Sequence, residues 1–122
     1  MCSLSIYSSP MTNVSDRELL HGNGETLVLA LLARGDSHGY QIRKELARSS
    51  RDYFQFRFGS LYPLLRRLEQ QGLVTAKLVK AGRTRERRNY RITPKGRAAL
   101  KERERNWHRF AQAMQLVLAR SA

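Results

Sequence analysis

Two short stretches of the chain each combine a tyrosine with two or more arginines. The first is FGSLYPLLRRLEQQGLV, residues 58–74, and the second is VKAGRTRERRNYRITPKG, residues 79–96. A guanidinium can hold a phosphate group or the major-groove edge of guanine through two parallel hydrogen bonds, and a tyrosine hydroxyl can bond to a phosphate oxygen. The chemistry that suits these residue types is the binding of a polyanion.

The first stretch has the spacing of an amphipathic helix. Its leucines recur at i, i+3, i+4 and i+7, and they are Leu61, Leu64, Leu65 and Leu68. The residues left on the other faces form the candidate reading surface, which consists of Ser60, Tyr62, Pro63, Arg66 and Arg67. Because Pro63 has no N–H and is tolerated in the first turn, the pattern predicts an N-cap at Ser60, while Gly72 is a predicted left-handed C-cap. We expect Tyr62 to contact DNA, with a place in the core as the alternative.

The second stretch predicts a β-hairpin. Leu73 to Lys80 and Arg87 to Ile92 flank a short loop, and the second segment alternates apolar with polar residues as a half-buried strand does. The cations in and beside the loop are Arg83, Arg85, Arg87 and Arg88. Since the negative potential of the minor groove favours arginine, we expect them to enter or flank that groove, with simple solvation of a loop as the alternative.

Two further helices are predicted upstream of the reading helix. Residues from about Glu25 to Arg34 are apolar nearly all round, which indicates burial, and the segment HGNG at 21–24 is expected to interrupt the chain before them. The next helix runs from about residue 37 to 49 and would brace the reading helix. Tyr40 and Lys44 lie where such a helix crosses the DNA backbone, so each is a candidate phosphate contact, with a place in the core as the alternative for Tyr40.

A final helix of roughly 25 residues is predicted from Thr93-Pro94, because threonine is a good N-cap and proline suits the first helical position. Its later part carries an apolar stripe at helical spacing, formed by Trp107, Phe110, Ala111, Met114, Val117 and Leu118. In a monomer this apolar stripe would be exposed to water, so we infer a homodimer. The alternative is that the final helix folds back onto its own domain. Two copies also suit two DNA half-sites roughly 34 Å apart.

These elements predict a mainly α fold with a small β-hairpin, namely a winged helix-turn-helix followed by a long C-terminal helix. We divide the chain into a disordered segment at 1–14, a DNA-binding domain at 15–93 and a dimerisation helix at 94–122. The length of 122 residues fits one compact domain.

The charge balance agrees with a polyanionic partner. Lys and Arg number 23 against 10 Asp and Glu, which gives a formal net charge of +13. Charge alone leaves nucleic acid, a membrane surface and general basicity open, and the placement of the cations decides for double-stranded DNA. The single cysteine, Cys2, fits a reducing compartment, so we expect a cytoplasmic protein. The longest apolar run, 27–33, is too short to cross a membrane.

The sequence contains no residue pattern that is typical of a catalytic site. The histidines at 21, 38 and 108 are scattered, no Cys/His pair has metal spacing, and no glycine-rich phosphate loop opens a helix. Glu102 and Glu104 point to different helix faces and do not form a carboxylate pair. We expect no enzyme activity, no cofactor and no metal.

With these residues placed, the chain resembles the PadR family of bacterial transcriptional regulators over about residues 17–118. The resemblance rests on three blocks in order, LVLALLARGDSHGYQIRKEL, FGSLYPLLRRLEQQGLV and RERRNYRITPKGRAAL. It implies a winged-helix dimer that represses promoters and releases DNA when a small molecule binds. It also implies that Trp107 lies beside an aromatic-ligand pocket at the dimer centre, whereas the residue type alone fits packing at a dimer seam equally well.

The chain departs from the family pattern in the hairpin, where Glu86 stands for a common proline and Asn89 for a common aromatic residue. This departure bears on the sequence preference of the hairpin. The leading hypothesis is a sequence-specific homodimeric repressor released from its operator by a small ligand, with an aromatic compound as one candidate. The alternative is a non-specific basic nucleic-acid-binding or nucleoid-type protein without an effector.

Overall fold

The computed structural model describes residues 14–55, 58–80, 82 and 86–120. In chain order the elements are α1 (Val14–Arg34), β1 (Ser37–His38), α2 (Gly39–Ser49), α3 (Phe58–Gln70), β2 (Val74–Lys80), β3 (Glu86–Ile92) and α4 (Pro94–Arg120). The predicted disordered segment lies outside the described residues except for Val14, which begins α1.

Helix α1 is longer than its sequence predicts. We expected a start near Glu25 after an interruption at HGNG, and this was wrong, because the helix runs without a break from Val14 to Arg34. A glycine inside a helix costs about 1 kcal/mol relative to alanine. Gly24 is buried, and the carboxylate of Glu25 bonds to arginines of two other helices. Tertiary contacts at this point of the helix therefore offset the local preference for a turn.

Helices α2 and α3 form the helix-turn-helix. Helix α2 ends at the predicted residue, and it buries Ile42 and Leu46. Helix α3 begins at Phe58, so the prediction of an N-cap at Ser60 was wrong, and Pro63 is the sixth residue of the helix. The missing N–H of Pro63 costs the helix one internal hydrogen bond. The buried leucine stripe of the same helix compensates for that loss, since its four leucines are at most 4% exposed.

The hairpin agrees with its predicted strands within one residue and belongs to a slightly larger sheet. Strands β2 and β3 are antiparallel, with Val74 opposite Ile92 and Lys80 opposite Glu86. The strand order is β1-β3-β2, and β1 pairs His38 with Asn89. A strand of two residues has no alternation to read, so the sequence did not indicate β1. This pairing joins the start of α2 to the hairpin.

The start of α4 is fastened to the end of α3. Gly72 has a φ of +76°, and the Leu73 N–H bonds to the carbonyl of Leu68, which forms the predicted left-handed C-cap. Thr93 Oγ1 donates to the carbonyl of Gly72 at 2.7 Å and accepts from the N–H of Gly96 at 2.9 Å. Thr93 is therefore the N-cap that we predicted.

One apolar core lies under the sheet and between the helices. Leu29, Leu32, Ile42, Leu61, Leu65, Leu68, Val28 and Val74 are its largest fully buried side chains. Helix α4 contributes Leu100, after which its described side chains are exposed apart from half-buried Arg103 and Ala111. The arrangement is a winged helix-turn-helix from which the second half of α4 projects, as the sequence predicts.

Candidate nucleic-acid interface

An open groove of about 670 Å³ lies between the helix-turn-helix and the hairpin. It is lined by residues from the start of α2, from α3 and from β3, namely His38, Gly39, Tyr40, Tyr62, Glu86, Arg87 and Arg88. Side chains that the sequence places in three separate stretches therefore meet at one surface. Their predicted contacts with DNA remain predictions.

Tyr40 and Lys44 lie together on the exposed face of α2. The Lys44 ammonium is 5.5 Å from the centroid of the Tyr40 ring, and the His38 ring stacks parallel to that ring with centroids 6.5 Å apart. Stacking and the cation–π contact limit the motion of Tyr40. Tyr40 lines the groove, and the ammonium of Lys44 lies beside it on the exposed face of α2.

Tyr62 of α3 lines the groove beside Gly39. A Cβ at position 39 would stand 3.0 Å from the Tyr62 hydroxyl oxygen and 3.2 Å from two of its ring carbons. The Tyr62 ring is nevertheless 45% exposed, so it is a surface residue and not a core one. Sequence reasoning missed Gly39, because the need for a glycine here comes from the neighbouring helix.

The two adjacent arginines of α3 have different surroundings. Arg66 is exposed and has no ion pair within the described part of the chain. Arg67 Nε lies 3.5 Å from Glu25 Oε2 of α1, so its charge is partly satisfied inside the protein. Ser60 and Pro63 are exposed on the same helix. Arg66 is thus the cation of α3 with the most freedom to meet an external anion.

The arginines of the hairpin divide in the same way. Arg87 is exposed and lines the groove. Arg88 bonds to both carboxylate oxygens of Glu69 at 3.1 Å, and hydrogen bonding with Tyr90 together with the Glu69 charge raises the pKa of Arg88. Glu69 belongs to α3, so this pair ties the hairpin to the reading helix. Arg83 and Arg85 lie outside the described residues.

His38 is a groove residue that sequence reasoning missed. Its Nδ1 accepts a hydrogen bond from the Gln41 N–H at 3.4 Å, which makes it the N-cap of α2. Burial and, to a lesser extent, the charge of Arg87 lower the pKa of His38. The ring is therefore neutral at neutral pH, and because Nδ1 accepts, the proton resides on Nε2. A hydrophilic residue directly before a helical pattern was the signal that could have found it.

The apolar stripe of α4 is exposed in the single chain. Its described large side chains are 45–69% exposed, and they are Trp107, Phe110, Met114, Val117 and Leu118, with Ala111 half-buried between them. Leu116 is also exposed, but it lies on the opposite face of α4 from Trp107 and does not belong to the stripe. Helix α4 runs straight through the polar segment, so it does not fold back to cover these side chains within its own chain.

The described residues do not bring three His, Cys, Asp or Glu side chains together in a cluster that could hold a metal ion. Within those residues, no helix has the length and apolar character needed to cross a membrane.

Comparison with known proteins identifies the same architecture. Residues 28–102 match the family described as "Transcriptional regulator PadR-like family". The chain is 43% identical over 76 residues to "Transcriptional regulator Rv3488" of Mycobacterium tuberculosis, a match that covers 62% of this chain and 66% of that protein.

Solved structures of similar proteins superpose over most of the chain. A PadR family transcriptional regulator from Eggerthella lenta is 36% identical, with a TM-score of 0.74 over 83% of this chain and 86% of that one. A transcriptional regulator from Clostridium thermocellum is 28% identical, with a TM-score of 0.72 over 84% of this chain and 96% of that one.

Proposed function

Because the chain belongs to the PadR-like family of transcriptional regulators, we propose that it is a sequence-specific repressor that binds its operator as a homodimer and is released by a small, aromatic ligand. The observation that carries the proposal is the convergence of α2, α3 and β3 on one cationic groove. The alternative, a non-specific nucleic-acid-binding protein, draws its support from the net charge of +13.

Helix α3 is the element that we place in the major groove. Its exposed Tyr62 and Arg66 can reach base edges or the adjacent phosphates, and exposed Ser60 lies near the start of the helix, whose N-terminal end favours an anion. Tyr40 and Lys44 of α2 would contact the phosphate backbone on one side. Such phosphate contacts orient a protein on DNA but do not read sequence.

The hairpin is the element that we place over the minor groove. Arg87, at the rim of the groove, is the described cation with the clearest access, and we retain Arg83 and Arg85 of the loop as expected contacts. In this proposal Arg67 and Arg88 contribute less to DNA binding than Arg66 and Arg87 do. Their ion pairs with Glu25 and Glu69 compete with phosphate. The carboxylate of Glu86 also lines the groove and opposes phosphate at that point.

A second copy of α4 is the partner that we assign to the apolar stripe. Twelve helical residues from 107 to 118 present an apolar surface about 18 Å long, and water contact with such a surface is unfavourable. An isologous pair of these helices would bury both stripes at once and would place two α3 helices on one duplex. Trp107, Phe110 and Met114 would then line the centre of the dimer, where a planar apolar ligand could stack on the indole.

Selection of binding sites from a random duplex pool tests the proposal. The enriched duplex is then titrated by fluorescence anisotropy at physiological salt, with and without excess unrelated duplex. We expect a preference of about a thousandfold or more for the enriched site, which is the usual margin of a specific reader. If no duplex is enriched and the competitor abolishes binding, charge alone drives the association and the repressor proposal is wrong.

Release by a ligand is tested on the same complex. Planar aromatic acids and cationic aromatic dyes are added separately while the fluorescence of Trp107, the sole tryptophan of the chain, is recorded. We expect an active compound to quench Trp107 and to lower DNA anisotropy at the same concentration. Dissociation of DNA without quenching would place the ligand away from Trp107.

A further inference from the structure

The carboxylate of Glu25 joins three helices. Its Oε1 lies 2.9 Å from Arg103 Nη1 of α4, and its Oε2 lies 3.5 Å from Arg67 Nε of α3. Each oxygen therefore serves a different arginine. The side chains of Glu25, Arg103 and Arg67 are 24%, 31% and 48% exposed, so solvent screens this triad less than it screens a surface pair.

We propose that Glu25 is a positioning residue that determines the specificity of DNA binding, because it holds Arg67 off the DNA and couples the orientation of α3 to that of α4. The specificity part rests on the DNA-reading function proposed above, whereas the coupling of the helices does not. The residue lies in α1, outside every stretch that the DNA contacts occupy.

Glu25 occupies the guanidinium of Arg67 in place of a phosphate. A free guanidinium at this position of α3 would bind any phosphate within reach. Such a contact holds α3 on a duplex without the register that base contacts require, so it raises affinity for unrelated duplexes relative to the enriched one. Glu25 offers Arg67 an anion inside the protein instead. Exposed Arg66, one residue earlier, then remains the cation through which α3 meets the duplex.

The angle between α3 and α4 depends on where the two helices are attached to each other and to α1. The two helices are already joined where Thr93 bonds to Gly72 and where Lys95 Nζ donates to the carbonyl of Gln71 at 3.0 Å. Arg103 lies about 15 Å further along α4 than Thr93. A helix attached at two separated points cannot pivot freely about the first, so the Glu25 triad fixes the direction in which α4 leaves the domain.

Helix α4 connects the Glu25 triad to the apolar stripe. Arg103 is one helical turn before Trp107, and residues i and i+4 lie on the same face of a helix. A displacement of α4 at Trp107 therefore also displaces Arg103. Through Glu25 it would reach Arg67 and thus the reading helix, over contacts that are all within 3.5 Å.

The test compares Glu25→Gln with Glu102→Gln. Both changes remove one negative charge, but Glu102 is exposed on α4 and is in no ion pair among the described residues. Affinities for the duplex enriched by the wild-type protein and for an unrelated duplex are measured for each. For Glu25→Gln we expect the ratio of the two affinities to fall about tenfold, the equivalent of one base contact, while Glu102→Gln keeps the wild-type ratio.

A second readout needs no DNA. Hydrogen exchange of α3 amides is followed in Arg103→Gln, which keeps the Glu25–Arg67 pair and tests only the link to α4. We expect faster exchange in α3, although residue 103 belongs to α4. Arg103→Gln also serves if Glu25→Gln fails to fold, and its affinity ratio should fall in the same direction.

The outcomes separate the two proposals. If Glu25→Gln keeps the wild-type ratio of affinities for the two duplexes, even with an equal loss for both, Glu25 has no role in specificity. The repressor proposal then still stands. Unchanged α3 exchange in Arg103→Gln would overturn the coupling. If the wild-type protein itself prefers no duplex, the repressor proposal and the specificity role fail together, and the exchange experiment still decides the coupling.

Discussion

The ring of Tyr62 packs directly on the backbone of Gly39. A Cβ at position 39 would lie 3.0 Å from the Tyr62 hydroxyl oxygen, so a side chain there would require the ring to shift by a few tenths of an ångström. Gly39 is the first residue of α2, and Tyr62 belongs to α3. This contact therefore sets how closely the two helices of the helix-turn-helix approach each other at the groove.

Gly39→Ala is expected to weaken DNA binding without unfolding the protein. The added methyl group must push the half-exposed Tyr62 ring outward by a few tenths of an ångström, and we expect a loss of about 1 kcal/mol in DNA binding, or about fivefold in affinity. Gly35→Ala is the control, because a Cβ at Gly35 meets nothing within 4 Å. Equal affinities of the two variants would mean that Tyr62 is not held against the duplex by Gly39.

Arg66→Ala and Arg67→Ala are expected to affect different properties. Arg66 has no ion pair among the described residues, so its loss should leave the free energy of unfolding unchanged and weaken binding to the enriched duplex by about 1–3 kcal/mol. Arg67→Ala leaves the half-buried Glu25 with one partner fewer and should lower the free energy of unfolding. Anisotropy and urea denaturation measure the two effects. If Arg66→Ala weakens every duplex equally, direct base reading by Arg66 is excluded.

Phe110→Glu is expected to convert the proposed homodimer into monomers. A carboxylate in the centre of an apolar helix seam would be buried without a partner, which costs about 3 kcal/mol or more and should raise the dissociation constant over a hundredfold. Analytical ultracentrifugation measures the change. Gln112→Glu adds the same charge on another face of α4 and should leave the dimer intact. A dimer that survives Phe110→Glu must use another surface.

The stability of the protein is expected to fall below pH 6.5, the ordinary pKa of histidine, in part through His38. Because burial and Arg87 lower the pKa of His38 in the folded state, the unfolded chain binds its proton first as the pH falls. The contribution of the neutral His38 ring to the free energy of unfolding is thus fully present above pH 6.5 and is lost as the pH falls below that value. His38→Ser keeps an N-cap but cannot titrate. Urea denaturation near neutral pH and near pH 5.5 should show a smaller loss for this variant than for the wild type.

Gly96→Ala is expected to destabilise the whole domain. A Cβ there would collide with the backbone carbonyl oxygen of Leu73 and with the Ile92 side chain, and a backbone group cannot move aside as the end of a side chain can. We expect a loss of about 3 kcal/mol in the free energy of unfolding. Thermal denaturation measures it, again with Gly35→Ala as the control. A melting temperature within a degree of wild type would show that α4 can shift away from the sheet at no cost.

The sequence by itself determined those elements whose signals are local. The leucine spacing of α3, the alternation in β3, the C-cap at Gly72 and the Thr93-Pro94 start of α4 all rest on residues within one or two turns of each other, and the structure contains each of them. The same holds for the exposed stripe of α4, because its apolar residues follow a polar segment that no core could cover.

Only the tertiary structure decided the rest, because the contacts involved join residues far apart in the chain. Glu25 and Arg103 are 78 positions apart, and their bond helps to carry α1 through a segment whose composition favours a turn. Arg67 and Arg88 have the same side chain as Arg66 and Arg87, yet they bond to Glu25 and Glu69 inside the protein. Which arginine is free to meet DNA depends on the carboxylate that packing brings beside it, and no local spacing encodes that.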